Sequence, residues 1–311
     1  MNEINYLIIS STLDFSTDYV TAEMKDRKLK YLRINRDKFS NYVFKYSAGQ
    51  LYIKIQDNEY IINHDSLKSV FFRAPVFIRS NKSYTVEEQL YRSQWSSFIR
   101  NLTVFSDSKW LNHPMYTYQA ENKLFQLETA ESVGLNIPKT IITNSENGLQ
   151  DDKVYVVKAL DTPLFHDSVN GYDSFTYSTV VNGRDIKKST LSEAPVIIQE
   201  YLTNKTDIRV TIVGEKVFPI SIMRNQQGIA GDWRKTKKVE LQYTPILIPK
   251  SIENGLLLLM KKLNLSFGGI DLILSNGKYY FVEVNPTGEW GWIEANTKYK
   301  VHNAIVDWMV N

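Results

Sequence analysis

Three side chains with oxygen donors occur close together near the carboxyl end of the chain: Asp271, Glu283 and Asn285. Glu283 and Asn285 are two residues apart in the strand-like run KYYFVEVN, so they share one face. Asp271 belongs to the preceding run GGIDLIL, and it faces the same way only if the hairpin loop has an odd number of residues. We therefore predict a three-residue loop over 275–277 that sets Asp271 opposite Phe281, whereas a two-residue turn would not align the carboxylates. Carboxylate and amide oxygens suit Mg²⁺ or Mn²⁺.

A plainer interpretation is that Asp271 and Glu283 are solvent-exposed polar groups of an ordinary hairpin. The flanking residues favour burial instead, since both runs are rich in Ile, Leu, Val and Tyr. A carboxylate buried among such side chains needs a compensating cation. The sequence therefore predicts a site for a hard divalent cation at this hairpin.

Basic side chains that could neutralise phosphate oxygens precede this hairpin. Lys158 ends the apolar run VYVVK, and Lys123 lies in a predicted helix over about 116–133. Each is, on its own, more typical of a protein surface. A lysine at the end of a buried strand can, however, act as a point charge toward phosphate.

Asp207 directly precedes the strand-like run IRVTIV, and Arg209 is the second residue of that run. The two residues are two apart, so they share one face of the strand. Arg224 ends the next predicted strand. These residues could be solvated ion pairs, or they could place positive charge opposite the metal hairpin.

The elements that must position these groups form an α/β unit of roughly 110 residues, followed by a longer, strand-rich α+β part. In the first unit, alternating apolar residues over 42–62 predict a β-meander, and Thr85 with Glu88 in capping-box spacing begins a helix to about 105. In the second part, 153–224 is almost entirely strand-like. The remaining predictions are hairpin turns at Asn182-Gly183 and Gly214-Glu215, one alternating arm in SFTYSTVVNG, and helices over 249–263 and 294–309.

The composition excludes several classes of site. The chain has 311 residues, a net charge of +3, no Cys and four His, so thiolate metal sites, disulfides and cysteine nucleophiles are absent. The N-terminal run MNEINYLIIS lacks the basic start and the small-residue cleavage site of a signal peptide. The apolar runs are too short to span a membrane. We expect a cytoplasmic protein without a membrane partner.

The order of these features resembles that of an ATP-grasp ligase: Lys123, Lys158, the QEYL tetrapeptide at 199–202, the D-x-R at 207–209, GGID, and E-x-N. This resemblance implies an α+β ATP-grasp fold, in which two α+β lobes sandwich ATP, preceded by a small α/β domain. The expected domains are 1–112, 113–202 and 203–311, the last with the metal site.

The resemblance also implies a role for each residue. Lys123 and Lys158 would bind the nucleotide, Asp207 would contact the ribose, and the adenine would lie against a hinge of Gln199, Glu200, Tyr201 and Leu202. Positive charge at the reacting phosphate would come from Arg209 and Arg224. Arg224 or Arg234 would stabilise the intermediate from which phosphate leaves, and the alternative for Arg234 is that it only pairs with Asp232. ATP would bind with Mg²⁺, or with Mn²⁺, at Asp271, Glu283 and Asn285.

Within that superfamily, three segments are similar to the microviridin-type peptide ligases, or graspetide synthetases: EVNPTGEWGWIE at 283–294, DWR at 232–234 and FFRAP at 71–75. Members of this family close lactone or lactam rings on a ribosomal precursor peptide, joining Asp or Glu carboxylates to Ser or Thr hydroxyls or Lys amines. The resemblance therefore implies a macrocyclase whose partner is a precursor peptide with a leader sequence. A homodimer is a possible assembly.

The strand-rich stretch 164–192 is our candidate for the leader-docking surface, with Phe175 and Tyr177 on one face. The equally weighted alternative is a nucleotide lid, although the only glycines there are Gly171 and Gly183, so a glycine-rich phosphate loop is missing. Of the two tryptophans in EWGW, we expect at least one in the core. Arg73 in FFRAP is expected at a domain interface.

Three rival functions remain open. The nearest is an ATP-grasp ligase that joins free amino acids or short peptides, such as the ligases that add glutamate to ribosomal proteins. A nucleic-acid-binding module is suggested by the KTKK run at 235–238, but a net charge of only +3 argues against it, and we expect no nucleic-acid partner. A non-catalytic ATP-binding protein is the third.

Overall fold

The computed structural model describes residues 1–73, 85–161, 164–167, 172–189 and 191–311, with only the backbone of 164–167 and 172–175. In the first part of the chain the elements are β1 (Asn2–Glu3), β2 (Tyr6–Ser10), α1 (Ser16–Asp26), β3 (Tyr31–Asn35), β4 (Tyr42–Ser47), β5 (Gln50–Ile55), β6 (Asn58–Asn63), β7 (Ser69–Phe72), α2 (Val86–Asn101) and β8 (Lys109–Leu111).

Two four-stranded sheets form this part. The parallel sheet has the order β3-β2-β7-β8, and its central strands are fully buried, as continuous apolar runs predict. The predicted meander is confirmed as β4, β5 and β6, with β1 at its edge. The capping box of α2 is also confirmed, since Thr85 and Glu88 exchange side-chain and backbone hydrogen bonds.

The middle of the chain contains α3 (Pro114–Ala120), α4 (Lys123–Ser132), β9 (Thr140–Thr143), β10 (Val154–Lys158), β11 (Leu164–Asp167), β12 (Tyr172–Phe175), β13 (Thr179–Asn182), α5 (Gly183–Ile186) and β14 (Val196–Glu200). The main sheet here has the order β13-β10-β14-β9. Among the described residues, β11 pairs with β12 alone.

Three predictions for this region were wrong. The single helix over 116–133 is two helices, because the Asn122 side chain accepts a hydrogen bond from the amide of Phe125 and so begins α4 anew. Asn182-Gly183 is not a hairpin turn, since Gly183 opens α5. SFTYSTVVNG is not one arm, because β12 and β13 belong to different sheets.

The last part contains β15 (Lys205–Val213), β16 (Lys216–Arg224), β17 (Leu241–Pro245), α6 (Lys250–Lys262), β18 (Phe267–Ser275), β19 (Lys278–Asn285), α7 (Gly291–Asn296) and α8 (Val301–Val310). Its five strands form an antiparallel sheet with the order β17-β16-β15-β18-β19. The predicted turn at Gly214-Glu215 is confirmed, because Val213 pairs with Lys216. The predicted helix over 294–309 is interrupted at Tyr299, whose hydroxyl donates to the Pro219 carbonyl at 3.1 Å.

Each face of the five-stranded sheet has its own core. One face packs against α4 and α6. The other shares a core with the N-terminal parallel sheet, in which Phe71 contacts Phe267 edge to face. The same core contains the fully buried Trp290. The expectation of a core tryptophan is therefore confirmed. No helix within the described ranges is both long enough and apolar enough to cross a bilayer.

The proposed domain boundaries lie between elements. The first, at 112/113, lies between β8 and α3, and the second, at 202/203, lies between β14 and β15. We propose to keep this division. The core shared by the first and last parts means that the N-terminal unit is packed against the last part rather than joined only by a linker.

Candidate nucleotide and metal site

A cavity lies between the β13-β10-β14-β9 sheet and the five-stranded sheet. Ten of the thirteen residues predicted for the site line it: Lys123, Lys158, Gln199, Glu200, Tyr201, Leu202, Asp207, Arg234, Asp271 and Glu283. The three that do not are Arg209, Arg224 and Asn285. Most of the predicted site residues, although dispersed over 160 positions of the chain, thus line one cavity.

In the β18–β19 hairpin, Asp271 and Glu283 lie on the same face, as predicted, but the loop is not the one predicted. Ser275 pairs with Lys278, so the turn is the two-residue Asn276-Gly277, with φ of 48° and 78°. With that turn alone, Asp271 would oppose Val282 and Glu283 would lie on the other face. A β-bulge between positions 271 and 272 shifts the register, so Asp271 pairs directly with Glu283 instead of Phe281. The three-residue loop was therefore wrong, and the bulge supplies the extra residue.

The resulting donor group suits a hard cation. Asn285 Nδ2 lies 3.2 Å from Glu283 Oε1 and 3.5 Å from Asp271 Oδ2, so the three side chains converge. In the described ranges no cluster of three or more His, Cys, Asp or Glu occurs, and this site has two carboxylates and an amide. Two adjacent carboxylates with an amide oxygen fit Mg²⁺, which takes its remaining ligands from water and phosphate.

Basic side chains neutralise these carboxylates. Lys123 Nζ lies 2.7 Å from Glu283 Oε2, and Arg209 Nη1 lies 2.9 Å from Asp271 Oδ1. Burial alone would raise the pKa of Glu283, but the charge and hydrogen bond of Lys123 hold it well below its usual range. Burial raises the pKa of Asp271, and the adjacent Glu283 charge adds to this despite Arg209.

Arg209 lies behind Asp271 rather than at the cavity wall. Its guanidinium occupies a slot between two backbone segments, where an added Cβ at Gly269 or Gly288 would lie 2.2 Å or 2.4 Å from Nη2. Only glycine permits this close approach. The structure therefore places Arg209 in contact with Asp271 and outside the cavity lining.

Lys123 and Lys158 approach the cavity from different elements. Lys123 is the first residue of α4, and Lys158 ends β10. Burial lowers the pKa of Lys158, and the neighbouring Lys123 charge acts in the same direction. A second anionic group, such as a phosphate, would relieve the repulsion between the two ammonium groups.

The predicted hinge also lines the cavity. Gln199 Nε2 donates to Thr140 Oγ1 at 2.9 Å, and a Glu200 carboxylate oxygen accepts from the Lys139 amide at 2.9 Å. The side chains of both residues are thus fixed against β9. Tyr201 and Leu202 are half-buried in the cavity lining.

Asp207 has a partner that the sequence interpretation missed. Lys205 Nζ lies 2.5 Å from Asp207 Oδ2, and both side chains are largely buried. Burial raises the pKa of Asp207 even with this lysine beside it. A sequence signal existed, because residues 205 and 207 are two apart on one strand and share a face.

The last two arginines are in different places. Arg224 Nη2 lies 2.8 Å from Glu240 and borders a second cavity, so the structure does not bring it to the nucleotide cavity. Arg234 lines the nucleotide cavity and pairs with Asp232 at 2.7 Å. Its guanidinium carbon lies 5.8 Å from the centre of the Tyr177 ring.

The loop after Asn285 connects the remaining family segments. Arg73, largely buried, binds Asp14 at 2.9 Å and Glu289 at 3.0 Å, so it lies at an interface as expected. Trp292 lies 6.0 Å from Trp233, between ring centres. Neither contact could be inferred from sequence spacing. Within FFRAP, positions 74 and 75 are outside the described residues.

Several known proteins are similar to this chain over most of its length. The chain is 26% identical over 208 residues to a Shewanella denitrificans protein named "Probable alpha-L-glutamate ligase 1", covering 64% of this chain and 68% of that protein. A Chryseobacterium gregarium RiPP-associated ATP-grasp ligase, in complex with ADP and a leader and core peptide, has a TM-score of 0.85 at 23% identity, covering 100% of this chain and 97% of its own.

The macrocyclase MdnC from Microcystis aeruginosa, bound with precursor peptide MdnA, has a TM-score of 0.83 at 25% identity, covering 99% of both chains. These similarities confirm the α+β ATP-grasp fold. The family model described as a RimK-like ATP-grasp domain matches residues 120–309, which include all thirteen predicted site residues. The chain therefore belongs to the RimK-like ATP-grasp family.

Proposed function

We propose that this protein is an ATP-dependent macrocyclase of a ribosomal precursor peptide. The observation that supports this most directly is similarity over 99% of the chain to a macrocyclase with its precursor peptide. The similarity to a glutamate ligase spans only 64% of the chain. The N-terminal unit, with Arg73 bound to Glu289, is thus part of what resembles the macrocyclase.

The proposed reaction begins with a carboxylate, which resists attack because a nucleophile would add charge to an anion. Transfer of the γ-phosphoryl group of ATP to an Asp or Glu side chain of the peptide gives an acyl phosphate and ADP. A Ser or Thr hydroxyl or a Lys amine of the same peptide then attacks the acyl carbon. Phosphate leaves with the bonding electron pair, the nucleophile loses a proton, and an ester or amide closes the ring.

The chain's own cations would stabilise the transferred group. Lys123 and Lys158 would bind phosphate oxygens, and Arg234 is the arginine that lines the cavity close to the carboxylate pair. Asp271, Glu283 and Asn285 would hold Mg²⁺, or Mn²⁺, which neutralises phosphate charge when bound.

The other end of the cavity would hold the nucleoside. The strand end at 199–202 offers backbone groups and the Tyr201 ring to adenine, while Asp207 and Lys205 line the cavity where a ribose would extend. Because both reacting groups of the peptide belong to one bound chain, their positioning would provide much of the acceleration.

We further propose that the leader docks on the stretch 164–192, most specifically on the β11–β12 hairpin over 164–175. This hairpin pairs with neither large sheet, which favours a docking arm or a lid. Phe175 is outside the residues whose side chains are described, whereas Tyr177 lines the nucleotide cavity. Replacing 164–175 by a short linker should weaken peptide binding and spare ADP binding if the arm docks the leader. Loss of ADP binding alone would identify a lid.

The function is tested with the purified protein, ATP, Mg²⁺ and candidate precursor peptides in which Ser, Thr or Lys residues alternate with Asp and Glu. Macrocyclisation removes one water per ring and forms one ADP per ring, without a second substrate. An Asp271→Asn, Glu283→Gln double variant is the inactive control. A mass gain that requires free glutamate would instead identify the glutamate ligase, the alternative favoured by the curated relative.

We propose a cytoplasmic location, since ATP and newly made precursor peptide are both present there. A non-catalytic ATP-binding role would require ADP binding without product in either assay.

A further inference from the structure

Asp232 makes an unusually large number of hydrogen bonds for one side chain. Its Oδ1 accepts from the Arg234 amide at 3.1 Å and from Arg234 Nε at 2.9 Å. Its Oδ2 accepts from Arg234 Nη2 at 2.7 Å, and from the Ser178 amide and hydroxyl at 3.1 Å and 3.0 Å. Five donors exceed the roughly four lone-pair sites of a carboxylate, so Asp232 has no free acceptor capacity.

The two partners of Asp232 belong to separate segments of the chain. Ser178 lies in the segment 176–178, which connects the β11–β12 hairpin to β13. Arg234 follows β16 in the chain and lines the cavity. Asp232 hydrogen-bonds to both, so it bridges the base of the hairpin and the cavity arginine.

The bridge is rigid because Asp232 is desolvated. Its side chain is 2% exposed, whereas that of Arg234 is 43% exposed. A buried carboxylate cannot exchange a lost partner for water without a large penalty. If Arg234 is lost, the Asp232 carboxylate loses the three hydrogen bonds that orient it toward Ser178.

Tyr177 reinforces the same link. Its ring centre lies 5.8 Å from the Arg234 guanidinium carbon and 5.9 Å from Lys235 Nζ. Two consecutive residues of the segment 176–178 therefore contact the DWR region, one through its ring and one through hydrogen bonds.

We propose that Asp232 is a positioning residue that couples the placement of the segment 176–178 to the orientation of Arg234 in the nucleotide cavity. Asp232 itself does not act on the reacting atoms. Movement of the hairpin base thereby changes the direction in which the Arg234 guanidinium points. The part of this inference that concerns turnover rests on the proposed function, but the coupling itself does not.

The coupling is tested without substrate, by hydrogen exchange at the Ser178 amide. Arg234→Met leaves Ser178 chemically unchanged, and we expect exchange at that amide to accelerate by roughly tenfold or more, since a hydrogen bond to a charged group is lost from a shared network. Arg234→Lys, which keeps the charge but not the fork, should give a smaller acceleration. Glu240→Ala is the matched control, because it breaks the nearby ion pair with Arg224 and contacts neither partner of Asp232.

Melting temperatures of all variants separate local from global effects. Acceleration confined to 176–180 supports the coupling. Equal exchange in wild type, Arg234→Lys and Arg234→Met, or equal acceleration throughout the protein, would overturn it.

The consequence for turnover is tested by a double-mutant cycle. Ser178→Ala should lower kcat by roughly five- to tenfold with little change in the KM for ATP, and Ser178→Thr should restore it because the hydroxyl returns. In an Arg234→Lys background, Ser178→Ala should change kcat by less than about twofold. Equal loss in both backgrounds would contradict the coupling. Absence of any turnover, with the exchange result intact, would count against the proposed function alone.

Discussion

Replacing Gly269 by alanine should displace the Arg209 guanidinium from Asp271. An ideal Cβ at this position would lie 2.2 Å from Nη2 and 2.4 Å from Cζ of Arg209. Non-bonded heavy atoms need about 3.5 Å, so the guanidinium must move by roughly 1 Å or more. Its 2.9 Å hydrogen bond to Asp271 cannot survive that movement.

The loss of stability on breaking this ion pair depends on how deeply the pair is buried. Breaking a buried ion pair by removing one partner costs about 3 to 5 kcal/mol. The Arg209 side chain is 9% exposed and that of Asp271 is 23% exposed, so partial access to solvent reduces the penalty. We expect the free energy of unfolding to fall by roughly 2 to 3 kcal/mol, measured by urea denaturation. We also expect a higher half-saturating Mg²⁺ concentration, since Asp271 loses the group that orients it.

Two comparisons make this test specific. Gly277→Ala, in the turn of the same hairpin, meets no atom within 4 Å but has φ of +78°, so it should cost only about 1 kcal/mol of strain and leave the Mg²⁺ dependence unchanged. In an Arg209→Met background, Gly269→Ala should cost less than about 1 kcal/mol, because the clash is with the guanidinium. An equal cost in both backgrounds, or wild-type stability of Gly269→Ala, would refute the reasoning.

The remaining predictions concern charged groups. Lys123→Met should weaken ADP binding by about tenfold or more in calorimetry, whereas an unchanged affinity would mean that this lysine serves only Glu283. Arg224→Ala should change kcat by less than about threefold, since the arginine pairs with Glu240 outside the nucleotide cavity; a loss as large as that of Arg234→Ala would restore its proposed catalytic role. Burial raises the pKa of Asp232, but Arg234 outweighs this and lowers it to about 2 from 3.8, so its stabilisation is full above pH 3.8 and lost as the pH falls through 2. Urea denaturation should therefore show that Asp232→Asn destabilises by roughly 1 to 2 kcal/mol more at pH 6 than at pH 2.

The site hairpin illustrates what sequence patterns can and cannot specify. The apolar flanks correctly predicted two paired strands with Asp271 and Glu283 on one face. The predicted loop length was wrong because two different features can bring Asp271 and Glu283 to the same face of the hairpin. One is a third residue in the loop, and the other is a bulge in a strand. The Asn-Gly pair strongly favours the two-residue turn, so the local turn preference decided the loop and the bulge corrected the facing.

The sequence also could not predict which side chains pair with residues that are distant in the chain. The order of motifs, through the family resemblance that it carries, predicted ten residues that line the cavity. It did not predict that Arg209 would be drawn behind Asp271, since the slot depends on Gly269 and on Gly288 in a separate loop. Arg224 was misplaced for a related reason: it ends β16, where the chain turns toward Glu240.

The segment after Asn285 links parts of the protein that are distant in the sequence. Glu289 binds Arg73 of the N-terminal unit, while Trp292 packs on Trp233, next to Arg234. The segment that begins at a predicted metal ligand therefore contacts both the N-terminal unit and Trp233, the residue before the cavity arginine. Because a peptide substrate must present its carboxylate and its nucleophile in one geometry, a segment held by both contacts favours a large, ordered substrate over a free amino acid.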